Sequence, residues 1–448
     1  MSLSLRRQAI NLYEWVNGRH IMARLDELNR LQWLSREQVL ALQQEKLYRI
    51  LKYANTFVPF YRRLFKQADF QPDDMLTDPT AFQKIPTISK AVVNENFDDL
   101  VTTDPSRQKG LAQNSTGGST GQPLIFIQDH NFRDYVMAGV HCHLQYTGWR
   151  FGECHAYIWG ADYEIATQKT IRARSLHWSL NRFVTNAFTL SEESMMAFAQ
   201  KIRQRHPQVL VGYTSALERF ARFVQAHHLD DIQFSGIIST AEVLYPGQRE
   251  LIEHTFGCDV LNRYATRELG GISCECLEHK GLHIGTGEVY VEVLRDGVPV
   301  PAGVDGDIVV TNLNNYGMPF IRYHVGDVGQ LSDEVCPCGR GLPMMQVVHG
   351  RATDMFKTKD GRAVHGEFFT HLFYGMSEVK QFQVVQKSYD HIVVSIVAKS
   401  PLPAQRRAFL ERAIKDVMNA EVEVEFQFVD AISLKASGKY RFTISEVK

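Results

Sequence analysis

The stretch PQVLVGYTSALERFARFVQAHHLDDIQFSGIIST, residues 207–240, decides the fold. Val209-Leu-Val211 is a short apolar run of the kind that is buried in a sheet. From Ser215 to His227, the residues Leu217, Phe220, Ala221 and Val224 recur on one side of a helix. Phe234 to Ser239 returns to strand character. The alternation continues on both sides. Upstream, Ser191 caps a helix that ends before Pro207. Downstream, Pro246 to Phe256 reads as a helix, and Cys258 to Tyr264 begins as a strand. Strands alternating with helices imply parallel pairing through right-handed crossovers. Ligands of such sheets sit beyond the carboxyl ends of the strands. Ser239-Thr-Ala-Glu242 and Tyr264-Ala-Thr-Arg-Glu268 fall at two such ends, so a ligand site is expected there.

The 448 residues allow two to four folding units at roughly 150 residues each. Near the start, Ser35 followed by Gln38 marks a helix start. Val39, Leu42, Leu47, Ile50, Leu51 and Ala54 carry that helix, and Pro59 stops it. Gly285 to Leu331 turns to short strands separated by Gly and Pro turns. After Gly350 the pattern changes again. Lys380 to Gln386 and His391 to Ala398 alternate like strands, Pro403 to Met418 is helical, and Glu421 to Phe428 is a strand. The expected class is α/β. A large domain at 1–350 holds mixed and parallel sheets flanked by helices, and a small α+β domain follows at 351–448.

Composition narrows the function. Hydrophobic residues at 44% and charged residues at 22% match an ordinary globular chain, so a large core is possible. Lys and Arg total 49 against 50 Asp and Glu, which excludes the basic footprint of a nucleic-acid binder. No apolar stretch is long enough to span a bilayer. Met1 to Arg30 has Arg6 and Arg7 but no apolar run after them, so it is no secretory signal. It reads as an amphipathic helix packed on its own domain, with contact to a membrane the weaker alternative. The cysteines number seven, and four of them form two Cys-x-Cys pairs. An odd count in so large a chain argues against a disulfide scaffold and for a reducing cytoplasm.

Four short motifs carry chemistry, and each has a plainer reading when taken alone. In Ser115-Thr-Gly-Gly-Ser-Thr-Gly-Gln-Pro123, glycines let backbone N–H groups approach phosphate and the hydroxyls add donors. No Lys-Ser/Thr pair follows, so this is not the common P-loop, and such runs are often surface loops. In Tyr264 to Glu268, a ring can stack on a base and a carboxylate can hold Mg²⁺. The plainer reading is a core Tyr and a solvated Glu. In Tyr323-His-Val-Gly-Asp327, and in Gly350-Arg-Ala-Thr-Asp354, Asp327 can accept two ribose hydroxyls and Arg351 can donate to sugar or phosphate. Taken alone, a turn Asp and a solvated Arg explain them better. In Ser437-Gly-Lys-Tyr-Arg441, Lys439 on a glycine turn can neutralise a transferring phosphate, or can be a solvated basic tail.

In this order and spacing the four resemble the adenylate-forming superfamily. Val58-Pro-Phe-Tyr61, Gly148-Trp149, Gly212-Tyr-Thr-Ser-Ala-Leu217, Met318-Pro-Phe-Ile-Arg-Tyr323 and Cys336-Pro-Cys-Gly-Arg340 extend the likeness to the phenylacetate–CoA ligase family. Within it, the chain is similar to the branch associated with capsular polysaccharide biosynthesis. The resemblance covers essentially the whole chain. It implies ATP-dependent formation of an acyl-adenylate with release of pyrophosphate, then acyl transfer to coenzyme A or another acceptor. It implies that Thr116, Gly117, Gly118, Ser119, Thr120 and Gly121 hold the ATP phosphates. The adenine is expected between Ala241-Glu242 and Tyr264-Ala265-Thr266, with Glu268 as the Mg²⁺ ligand. Asp327 and Arg351 match the ribose contacts, and Lys439 matches the adenylation lysine. Two positions depart from the family: Gln122 stands where a lysine is usual, and Arg267 where Thr or Ser is usual. Arg267 is expected to contact phosphate or the substrate carboxylate. The small C-terminal domain is expected to be mobile, with a hinge around Thr353 and Asp354.

Cysteines and histidines cluster in Ser273-Cys-Glu-Cys-Leu-Glu-His-Lys-Gly-Leu-His283 and in Cys336-Pro-Cys338. Thiolates with imidazole favour tetrahedral Zn²⁺, against the alternative of free cysteines and surface histidines. The resemblance favours zinc, since some relatives carry such a site. Cys276, His283, Cys336 and Cys338 are the expected ligands of a structural ion in a β region at about 270–345. Cys274 and His279 are held in reserve. Cys142, Cys154 and Cys258 read as buried or incidental thiols. Two other functions compete with ligation: an adenylyltransferase that leaves AMP on a cofactor or metabolite, and a non-catalytic nucleotide-binding relative. The acyl pocket is expected to draw on Gly148-Trp149, Trp159, Tyr213 and Thr214. The expected partners are a small carboxylic acid and coenzyme A or another acceptor. A homodimer is compatible with the sequence, which does not fix the oligomeric state.

Overall fold

A computed structural model describes residues 3–116, 124–160, 171–187, 190–351, 355–359, 363–366, 369, 372, 373, 376, 378–398, 402–432 and 442–447. The chain has α/β architecture and divides into two units. The first comprises residues 1–325 and 329–348, and the second 326–328 and 349–448.

A sheet of 12 strands dominates. From one edge its order is Val298–Pro299, Val289–Arg295, Gly306–Asn312, Tyr323–Ser332, Met344–Arg351, Leu282–Ile284, Gly270–Glu275, Val260–Thr266, Gly236–Thr240, Val209–Tyr213, His155–Ile158 and Arg182–Thr185. The last five pair in parallel, as alternating strands and helices require. Direction reverses where Val260–Thr266 meets Gly270–Glu275. The strand at Val209 runs two residues further than its apolar core suggests, to Tyr213, and the helix Thr214–Ala226 starts with no loop. Gly212 permits this, since a Cβ there would lie 2.9 Å from the Leu217 side chain. One face of the parallel half packs Ala156, Ile158, Leu210 and Ile237 against Phe198, Leu217, Phe220 and Phe256. The other face packs Tyr157, Val209, Val211, Ile238 and Leu261 against Leu25, Leu28 and Trp149.

Ser35 caps the helix Arg36–Phe57 in a reciprocal capping box with Gln38. Pro59 does more than stop that helix. It takes the first position of the next one, Pro59–Gln67, where a missing N–H does no harm. This brings Tyr61, fully buried, to the segment 318–323. Its hydroxyl donates to the Pro319 carbonyl at 2.9 Å and accepts from the Ile321 N–H at 3.0 Å. Beside it Arg322, also buried, forms a bidentate pair with Glu292 at 3.0 and 2.9 Å. The Gln83 carbonyl takes another guanidinium N–H at 2.8 Å. Two phrases of the family resemblance, with Tyr61 and Pro319 258 residues apart in sequence, are thus one packing unit.

The second unit carries a four-stranded sheet in the order Glu423–Phe428, His391–Ala398, Val379–Ser388, Thr443–Ser445. Its central hairpin is antiparallel and both outer strands join in parallel. The helix Ala404–Met418 contributes Leu410, Ile414 and Met418 to a core with Val384, Ile392 and Val394. Among the described residues no helix is long and apolar enough to cross a membrane.

Tyr61→Phe leaves a buried N–H and a buried carbonyl without their shared partner. It is expected to destabilise the first unit by about 2 kcal/mol. A lower urea midpoint would register the loss, and an unchanged midpoint would show that this hydroxyl does not hold the two segments.

Candidate functional site

The carboxyl ends of three parallel strands build the site. Strand Gly236–Thr240 ends at Ala241, which adopts a left-handed φ of 70°. That turn throws the Glu242 carboxylate back onto the neighbouring helix. It accepts from the Ser215 backbone N–H at 2.7 Å and from the Ser215 hydroxyl at 3.0 Å. A carboxylate is thereby fixed at the positive end of the helix Thr214–Ala226. Below it the hydroxyls of Thr214 and Ser239 lie 2.7 Å apart, and Thr214 also reaches the Glu242 carbonyl at 3.2 Å. Thr214 is fully buried and braces this turn. Trp149 is likewise a core residue, its indole N–H on the Glu153 carbonyl at 3.1 Å.

One strand further, Tyr264, Ala265 and Thr266 end the strand Val260–Thr266, where a bulge shifts the register between Tyr264 and Ala265. The extra residue re-aims the strand end, a common device beside active sites. Thr240 ties the two strand ends together, donating to the Arg263 carbonyl at 2.8 Å. Glu268 is buried just beyond. Arg267 reaches away from the strand and donates to the Ser115 carbonyl at 2.9 Å, while Gln128 donates to the Arg267 carbonyl at 3.1 Å. Ser115 ends the short strand Ala112–Ser115, which pairs antiparallel with Ile125–Gln128. The next residue, Thr116, closes the hairpin by two bonds with Leu124, at 2.9 and 3.0 Å. The base of the Gly/Ser/Thr run and the Tyr264–Glu268 segment are therefore joined directly. Gly117, Gly118, Ser119, Thr120 and Gly121 lie outside the described residues, as do Lys439, Thr353 and Asp354.

Asp327 is buried on the strand Tyr323–Ser332, within the three residues that group with the second unit. Arg351 ends the strand Met344–Arg351.

Cys276, His283, Cys336 and Cys338 converge, their ligand atoms all within 4.8 Å of one another. Cys276 directly follows the strand Gly270–Glu275, and antiparallel pairing sets His283 opposite Cys274. The two sulfurs of Cys276 and Cys336 are 3.6 Å apart, and Cys338 Sγ is 3.3 Å from His283 Nε2. A zinc tetrahedron has sulfur–sulfur edges of about 3.8 Å and sulfur–nitrogen edges of about 3.6 Å. The donor set and its spacing therefore fit a tetrahedral soft ion. Burial pushes the Cys276 thiol up to about 12, so a thiolate there needs a compensating cation. Burial, helped by Arg340, lowers His283 to about 4 and keeps its imidazole neutral, as a metal ligand must be. Burial also raises Cys338, but the Arg340 backbone N–H and guanidinium outweigh it and hold that thiol below its usual value. Arg340 is itself held over the rings of Tyr146 and Trp33, at 4.1 and 4.7 Å. The reserve residues lie apart from this centre: His279 faces Glu275 and Asp259 at 3.5 and 3.6 Å, and Cys274 is outside the converging set.

Comparison with known proteins places this geometry. Residues 356–446 match the family model of the CapK C-terminal domain. The chain is similar to Protein CapK of Staphylococcus aureus, 23% identical over 94% of this chain and 92% of the relative. It is similar to phenylacetate-coenzyme A ligase of Thermus thermophilus, 27% identical over 72% of this chain and 73% of the relative. Among solved structures, the fold matches 2-hydroxyisobutyryl-CoA ligase in complex with an acyl-AMP, at TM-score 0.75 and 20% identity, over 93% of this chain and 92% of that one. Anthranilate CoA ligase AuaEII, in complex with anthranoyl-AMP, matches at TM-score 0.51 and 15% identity, over 73% and 65%.

Glu242→Ala removes the acceptor of two Ser215 donors and the charge at the helix start. A loss of about 1–2 kcal/mol in urea unfolding is expected. Glu242→Gln keeps one oxygen and is expected to lose less. Equal losses would show that the capping bonds contribute nothing.

Proposed function

We propose, for a chain homologous to the phenylacetate–CoA ligases and CapK and built on the fold of adenylate-forming CoA ligases, that it activates a carboxylic acid with ATP. The product is an acyl-adenylate, and the acyl group then passes to coenzyme A. The observation that carries this reading is the bond from Arg267 to the Ser115 carbonyl, which joins a phosphate-type loop to a strand-end carboxylate. A triphosphate held by the loop then has its α-phosphorus near the strand ends. The acid's carboxylate oxygen attacks that phosphorus, and the bond to pyrophosphate breaks with its electron pair. Negative charge builds on the phosphorus oxygens and on the leaving group. The loop N–H groups of residues 116–121 and the Lys439 ammonium are assigned to stabilise it, so catalysis is positioning and electrostatics. Tyr264 and the Ala241–Glu242 turn flank the base, and Asp327 and Arg351 hold the ribose. In the second step a thiol sulfur attacks the acyl carbon and AMP departs.

Glu268 is a buried carboxylate of the kind that would hold Mg²⁺. That ion supplies further charge neutralisation when bound. Cys276, His283, Cys336 and Cys338 would hold a Zn²⁺ in a structural role, since four protein ligands would leave no open position for a substrate. We assign the reaction to the cytoplasm, where ATP and coenzyme A are at hand, and the likeness to Protein CapK supports an acid used in polysaccharide assembly.

The test is pyrophosphate release over a panel of carboxylic acids, with and without coenzyme A. Acid-dependent release with free AMP and a thioester is expected. AMP retained on the product would instead identify an adenylyltransferase. Lys439→Ala is expected to abolish pyrophosphate release while leaving thioester formation from a supplied acyl-adenylate intact; full retention of release would remove the lysine's assignment. Metal analysis of purified protein is expected to give about one zinc per chain by the four-ligand rule. Cys338→Ser should lose it, and zinc-free wild-type protein would overturn the centre.

A further inference from the structure

The helix Leu3–Asn17 has three faces. One packs on its own domain. Ile10 joins the core with Leu25 and Leu28, and the Glu14 carboxylate accepts from the Met22 N–H at 2.7 Å. A second is a polar edge, where Arg7 pairs with Asp26 at 3.2 Å. The third is apolar and lies in solvent. Leu5, Leu12, Trp15 and Val16 fall within an arc of about 100° at 3.6 residues per turn. All four are exposed, Trp15 by 82%. Beside them the helix Ile171–Ser179 presents Trp178, exposed by 58%. Arg6 joins the two helices: its guanidinium lies 5.5 Å over the Trp178 ring and donates to the Trp178 carbonyl. Exposed apolar residues scattered singly need no explanation, but five on two adjoining helices form a patch of the kind that marks an interaction site.

The charge that borders this patch has one sign. Lys201 and Arg205 lie 5.0 and 5.2 Å over the Phe183 ring. Burial, and next the charge of Arg205, lower both Arg6 and Lys201, so the three cations stand together. Arg7 and Arg203 have Asp26 and Asp231 as partners. Among the described residues, Arg6, Lys201 and Arg205 pair with no carboxylate. Arg205 donates instead to the Asn181 side-chain oxygen at 2.9 Å, and the Arg6 Nε is buried with no acceptor. The helix Ile171–Ser179 adds Arg172 and Arg174 and no acid.

Apolar stripe and cations together select the occupant. An anionic bilayer surface offers hydrocarbon to the stripe, an interfacial depth that favours Trp, and phosphate to the guanidinium groups. A second copy of this chain offers the wrong charge. A two-fold interface sets the patch on itself, and so sets three cations against three more.

We propose that the apolar face of the helix Leu3–Asn17, with Trp178 and the cations Arg6, Lys201 and Arg205 at its border, docks the protein on the surface of an anionic membrane. The helix lies in the plane of the interface and does not span it; among the described residues no helix is long and apolar enough to do so. The proposal is independent of the acyl-adenylate reading, since no residue of the strand-end site takes part.

The test is sedimentation of the full chain with vesicles of phosphatidylcholine alone, or of phosphatidylcholine mixed with phosphatidylglycerol. Association with the mixed vesicles only, weakening as salt rises, is expected. Leu12→Ser combined with Trp15→Ser should lower the partition coefficient roughly 10-fold. Lys201→Gln combined with Arg205→Gln should lower it by about as much. All four side chains are exposed, so both double variants are expected to fold, and an unchanged melting temperature checks this. Brominated lipid should quench the tryptophan fluorescence of the wild type more than that of Trp15→Phe. No association with the mixed vesicles would overturn the proposal, as would equal association with the neutral ones. Wild-type association in both double variants would overturn it too. A dimer that the Leu12 and Trp15 changes dissolve, with no vesicle binding, would show that a second copy covers the face. Release from the vesicles by free glycerol phosphate would show a site for a soluble anion and would also overturn the membrane contact.

Discussion

The guanidinium of Arg267 on the Ser115 carbonyl is the contact on which the site depends. A glycine-rich run has no intrinsic geometry, because backbone freedom is what makes it useful near phosphate. It becomes a binding element when its ends are fixed. Here one end is closed by the Thr116–Leu124 pair of bonds and tied by Arg267 to the strand end. The strand end is in turn set by a bulge and by Thr240 on the Arg263 carbonyl. A charged donor is well suited to this, since hydrogen bonds from an ionised group are worth more than neutral ones. A shorter hydroxyl side chain at this position would not span the distance by the same route.

The parallel half of the sheet was legible because its signals are local. Val209 to Thr240 carries strand and helix periods in turn, and Pro246–Phe256 forms the helix its sequence announces. Boundaries were less legible where a glycine removed the loop, as at Gly212. The expectation for Arg267 pointed to phosphate or substrate, whereas the structure gives one of its N–H groups to a backbone carbonyl more than a hundred residues away. Nothing local to Arg267 reports such a partner. Thr214 and Trp149, expected near an acyl pocket, are both buried, Thr214 bonded to the Glu242 carbonyl and Trp149 to the Glu153 carbonyl.

Two kinds of buried polarity coexist in the first unit. At Arg322 and Glu292 the charges satisfy one another, and the result is rigidity that joins the segments around Tyr61 and Pro319. At Cys276, His283, Cys336 and Cys338 the donor atoms are gathered within 4.8 Å and meet one another only through sulfur contacts of 3.6 and 3.3 Å. Buried polar atoms are rarely left so without reason, because each carries a desolvation cost of about 1–3 kcal/mol. There, soft donors at tetrahedral spacing ask for a metal ion.

The central claim is that a carboxylate oxygen of the substrate becomes bonded to the α-phosphorus. Following heavy-oxygen label from the acid's carboxylate through a complete turnover tests it most directly. Label recovered in AMP, with none in pyrophosphate, is the predicted result. Label in inorganic phosphate, or AMP carrying none, would contradict it.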